Sequence, residues 1–108
     1  MLEKIHAEMG RAHAARADGN EGRARVCARR AAGWAVGVYG RDQLGRDSRW
    51  HAYDNLIWLQ SQEDVSEDLR EAANRLTTRV DIDHTLPHRE DPLEDARVII
   101  TALLKGVN

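Results

Sequence analysis

Four arginines, Arg23, Arg25, Arg29 and Arg30, crowd into one stretch of the segment GNEGRARVCARRAAGWAVGVYG that spans residues 19–40. Guanidinium groups at that density can contact phosphates, and binding through them would depend steeply on salt. On a helix the four spread over a wide arc, with no aromatic residue interleaved on that arc to stack bases. The alternative reading makes them ion-pair partners of acidic residues on the fourth and fifth helices or on another subunit. Asp81, Asp83, His84 and His88 form a second cluster, of oxygen and imidazole donors. That cluster lies in a segment with Pro87 and reads as a solvated acidic loop, so no metal and no cofactor is expected. His6 and His13 flank an apolar stripe and read as packing residues. Cys27 stands among alanines and reads as a space filler, and as the chain's one cysteine it has no intramolecular disulfide partner.

Positioning these groups falls to helices. Leu2, Ile5, Met9 and Ala12 recur at helical spacing and predict an amphipathic helix over residues 2–17, closed by the Asp18-Gly19-Asn20 turn. A second helix follows at once, with Ala24, Cys27, Ala28, Ala31, Ala35, Val38 and Tyr39 on one face. Its opposite face gathers Val26, Gly33, Gly37 and Gly40, bordered by Arg29 and Arg30. Each glycine inside a helix costs roughly 1 kcal/mol against alanine, so Val26, Gly33 and Gly37 read as a close-packing interface, made within the bundle or between subunits.

Arg41 to Asp47 has loop composition. Asp47 or Ser48 would then cap a third helix over residues 49–62, whose Trp50, Tyr53, Leu56, Ile57, Trp58 and Leu59 surround much of its circumference. Asp64 with Glu67 suggests a capping box for a fourth helix with the stripe Leu69, Ala72, Ala73, Leu76 and Val80, ending near residues 80–83. Asp91, Pro92 and Glu94 mark the start of a fifth helix, with Leu93, Ala96, Ile100, Leu103 and Leu104 inward and Lys105 and Gly106 at its exit. The pattern is all-α: about five helices in a largely antiparallel up-and-down bundle, one domain over residues 1–108.

The formal charge of −2 conceals an asymmetry. Residues 1–50 carry ten basic against six acidic groups, and residues 51–108 six against twelve. The basic half could meet nucleic acid, an acidic partner or its own acidic second half. With no apolar run near the roughly 20 residues that span a bilayer and no signal-peptide pattern, the chain reads as cytoplasmic and off the membrane.

The first two helices, with GNEGRARVCARRAAG at their junction, and the helical second half resemble the HEPN family of small bacterial helical-bundle proteins. The resemblance implies a HEPN-like bundle. HEPN ribonucleases carry an arginine, an apolar residue, three variable residues and a histidine, a form shared by Arg79-Val80-Asp81-Ile82-Asp83-His84. The implied activity is a metal-independent, toxin-like RNase with Arg79 and His84 as catalytic residues at a dimer cleft. A histidine near its ordinary pKa of about 6.5 would move the ribose 2′-hydroxyl proton, and the arginine would stabilise the phosphate. This chain lacks the polar residue that often follows the arginine, and Asp81 and Asp83 would repel phosphate. Otherwise Arg79 pairs with Asp83 and His84 meets carbonyls at the helix end. Arg46 and His51 repeat the spacing.

Two functions follow, and the sequence leaves open whether the protein is an enzyme. The first is a self-associating, non-catalytic interaction module, a homodimer whose further partners would be RNA, a nucleotide or a small protein. The second is the RNase.

Overall fold

The computed structural model describes residues 2–45, 51–78 and 89–104. Among them stand five helices and no strand: α1 (Leu2–Ala17), α2 (Glu21–Leu44), α3 (Ala52–Gln60), α4 (Glu67–Thr77) and α5 (Pro92–Leu103). No helix among the described residues is long and apolar enough to cross a membrane.

The α1–α2 corner is built from Gly19 and Asn20. Gly19 adopts φ +81°, a left-handed conformation that glycine enters without a Cβ penalty. There the Asn20 N–H donates to the Ala15 carbonyl at 2.8 Å and the Gly19 N–H to Arg16 at 2.9 Å, the paired bonds of a Schellman closure. The Asn20 side chain then accepts from the Arg23 N–H at 3.0 Å and starts α2. One residue thus ends one helix and begins the next.

α2 is the central helix and packs against α1, α3 and α5. It continues four residues beyond Gly40, through a segment whose composition suggested a loop. Nothing from Arg41 to Leu44 breaks a helix, and the closure falls to Gly45 at φ +65°, whose N–H returns to the Arg41 carbonyl at 3.1 Å. α3 is shorter than predicted, with His51 at its N-cap position and no side-chain cap bond; Asp47 and Ser48 lie outside the described residues. α4 is capped by Ser66, not by Asp64. The chain first turns at Gln62, whose carbonyl accepts from the Val65 N–H, and buries Val65, which moves the cap two residues on. Asp91 caps α5 by accepting from the Leu93 N–H at 3.0 Å, and Pro92 opens the first turn where a missing N–H costs nothing. Glu94 pairs with Arg97 rather than reaching back to close a box.

The main core joins Ala12 and Ala15 of α1 to Cys27, Ala28, Ala32 and Val36 of α2, Leu56 and Leu59 of α3, Ala72, Ala73 and Leu76 of α4, and Leu93, Ala96 and Ile99 of α5. Ile5, Ala31, Ala35 and Leu104 form a second cluster. Alanine supplies so much of this interior that shape matching between close helices replaces side-chain bulk.

Gly33 and Gly37 show the consequence. They face α3 of the same chain: a Cβ on Gly33 would stand 2.5 Å from the Ala52 Cα and nearer still to its carbonyl oxygen, and one on Gly37 would stand 2.9 Å from the Asn55 Nδ2. The buried Asn55 donates its Nδ2–H to the Gly33 carbonyl at 3.0 Å. The contact that this glycine face requires is made within the chain, by α3.

A cationic groove between α2 and α3

Because Gly33 lets Ala52 approach, the residues on either side of Ala52 come to lie beside the turn of α2 that precedes Gly33. The result is a groove of about 280 Å³ lined by Val26, Arg29, Arg30, Trp34, His51, Ala52 and Tyr53. The sequence reading placed no aromatic among these arginines. Trp34 belongs to α2 itself, but His51 and Tyr53 arrive from the start of α3, some twenty residues on. The readable clue was the Gly33 face, which marks where another backbone comes close.

The four predicted arginines have different fates. Arg30 gives Nη1–H to Glu8 Oε2 at 2.6 Å, and Arg11 bonds the other oxygen at 2.7 Å. Arg23, Arg25 and Arg29 have no carboxylate partner among the described residues, so the described parts of the fourth and fifth helices supply none to the cluster. Arg30 turns to α1, and the arginine that reaches α5 is Arg16, bonding Asp91 at 2.8 and 2.9 Å. Arg25 and Arg29 stand one turn apart as like charges. Burial, and then the neighbouring Arg29, hold the Arg25 guanidinium below the ordinary arginine value.

Glu8 is 1 % exposed. Burial alone would raise its pKa, but the hydrogen bonds from Arg11 and Arg30 outweigh it, and the carboxylate stays below the ordinary glutamate range. Cys27 feels the opposite: burial, then the Glu8 charge and hydrogen bond, push its thiol up, so it is held protonated and poorly nucleophilic. Asp91 is also held low, by Arg16 first and by the Leu93 N–H.

These carboxylates set a pH dependence. A folded pKa below the unfolded value contributes stability above the unfolded value, near 4, and loses it as pH falls through the depressed folded value. The urea midpoint should therefore drop as pH is lowered from about 5 to about 3, and Glu8→Gln should flatten that drop. Parallel curves for the two proteins would remove Glu8 from the explanation.

Two further depressions are lined largely by charged side chains. An acidic groove of about 400 Å³ between α4 and α5 is lined by Asp68, Glu71, Glu90, Asp91, Glu94 and Asp95 around Arg75. Asp95 is bound there by Arg75 through two bonds of 2.9 Å. A cleft of about 390 Å³ between α3 and α4 is lined by Gln60, Glu67, Arg70, Glu71, Asn74 and Arg75.

Arg79, His84, Asp81, Asp83 and His88 lie outside the described residues, as does Arg46. Among the described residues no three histidine, cysteine, aspartate or glutamate side chains converge as metal ligands. No family model matches the sequence, and comparison with curated proteins and with solved structures gives no match.

Proposed function

We propose that this protein is a non-catalytic interaction module that self-associates as a homodimer through the outer face of α3. The observation that carries the reading is the exposure of Tyr53 and Ile57, 47 % and 44 % accessible and one turn apart on that helix. Among the described residues α3 packs against α2 and α4, on sides other than the one that carries Tyr53 and Ile57. A two-fold axis beside Ile57 would pack Ile57 of one copy against Ile57 of the other, in keeping with the prevalence of two-fold dimers. The Gly33 and Gly37 seam is not part of that interface, since α3 fills it.

A HEPN-like, up-and-down antiparallel arrangement belongs to the same proposal. Its support is the packing of each helix on the next, α1 on α2 through α4 on α5, with the first pair joined by only three residues. A cytoplasmic setting, where Cys27 stays a thiol, completes it.

Light scattering at micromolar concentration should give the dimer mass for the native chain and the monomer mass for Ile57→Glu, with an unchanged helical circular dichroism spectrum. A monomeric native chain would refute the self-association. RNA cleavage abolished by His84→Ala would replace the reading with the catalytic one.

A further inference from the structure

We propose that the α2–α3 groove is a binding site for a nucleotide unit, a phosphate with its attached base, the phosphate held by Arg29 in the groove and by Arg25 one helical turn before it, and the base stacked among Trp34, His51 and Tyr53. Three observations converge on it. Arg25 and Arg29 are like charges one helical turn apart with no carboxylate partner among the described residues, whereas Arg11, Arg16, Arg30, Arg75 and Arg97 each bond an acidic side chain. Like charges at that spacing repel, and a bound phosphate turns the repulsion into attraction for both.

Arg30, at the groove wall, is held in place by the buried Glu8 carboxylate and spends only Nη1 on that bond. Its position is therefore set before any ligand arrives. Finally, α3 brings His51 and Tyr53 to the same groove as Trp34. An anion alone needs no rings, but a base does, and aromatic side chains stack any base by its π-face. A space of about 280 Å³ suits a single nucleotide unit rather than a duplex.

The unit could be a free mononucleotide or one residue of a single strand, and the same titration separates them. The full chain is titrated with uridine monophosphate and with a fluorescein-labelled eight-nucleotide oligouridine, followed by tryptophan fluorescence and by anisotropy. Binding of both, with the monophosphate displacing the oligomer, identifies a mononucleotide site; binding of the oligomer alone identifies a single-strand site.

In either case the double variant Arg25→Gln with Arg29→Gln should weaken binding at least tenfold. For the oligomer it should also reduce the slope of log affinity against log salt by about 0.7, the value for one lost contact to a single-strand phosphate. Tyr53→Ala should weaken binding severalfold and leave that slope unchanged. Ile57→Glu, which does not line the groove, should bind at least as well, so loss of the dimer and loss of the site are told apart.

Neither arginine carries a bond within the described structure, so the double variant is expected to keep the native melting curve, and a parallel melt confirms it. Affinity unchanged in the double variant overturns the proposal. So does the absence of binding by both probes, and so does a polyglutamate peptide that binds as tightly as the oligomer and ignores Tyr53→Ala, which would mark an acidic-peptide surface.

Discussion

Gly33→Ala is expected to cost about 3 kcal/mol of stability, although alanine is the better helix former by roughly 1 kcal/mol. The added Cβ would fall on the Ala52 backbone, 2.5 Å from its Cα. Backbone on both sides leaves no side chain to swing away, so α3 must shift as a body. That shift strains the bond from Asn55 to the Gly33 carbonyl, and a buried amide left without its partner adds about 1–3 kcal/mol. At 4–8 °C per kcal/mol for a chain of this size, the melting temperature should fall by more than about 10 °C. Gly37→Ala is the informative comparison. Its Cβ would meet the end of the Asn55 side chain rather than backbone, so the loss should be smaller, and equal losses would refute the close-approach explanation. Gly33→Ala should also disturb the groove, since Ala52 stands between His51 and Tyr53.

Arg75→Met is expected to cost a similar amount, about 3 kcal/mol, for a different reason. Asp95 is 5 % exposed and both its oxygens are taken by Arg75, so removing the guanidinium strands a buried carboxylate between α4 and α5. The position of Asp95 in the first turn of α5 softens the loss, because the helix N-terminus favours negative charge. Adding Asp95→Leu should recover most of the stability, as apolar replacement of a whole buried pair is often close to neutral. Urea denaturation of the two single variants and the double variant gives the coupling directly. A loss below about 1 kcal/mol for Arg75→Met alone would mean that the pair behaves as a solvated one.

The helices were legible because their signals are local. Gly19 with Asn20 and Asp91 with Pro92 mark helix ends through their own backbone preferences, and the structure places boundaries there. The stripe of Leu69, Ala72, Ala73 and Leu76 follows from helical spacing alone. Where competing local signals stood side by side, the tertiary fold decided. Asp64 and Ser66 could each cap α4, and burial of Val65 selected Ser66. Gly40 and Gly45 could each end α2, and Gly40 instead lies buried inside it.

The groove was the least legible part. Val26, Gly33 and Gly37 were readable as a surface awaiting a neighbour, yet nothing in their spacing names that neighbour as α3. Without that knowledge His51 and Tyr53 could not be set beside Arg29, and Arg30 could not be assigned to Glu8 across 22 residues. Such pairings depend on how helices cross, which residue periodicity within one helix does not encode.

The corner at Asn20 bears on how the chain folds. Because α1 and α2 are joined by only three residues and one side chain serves both, the entropy of closing that hairpin is small and its contacts are near in sequence. α5, in contrast, must return to α2 from beyond Asp91, across the whole of α3 and α4. The α1–α2 hairpin is thus the natural template on which later helices settle, and an insertion of even one residue beside Asn20 would act on the rate of folding as well as on the final stability.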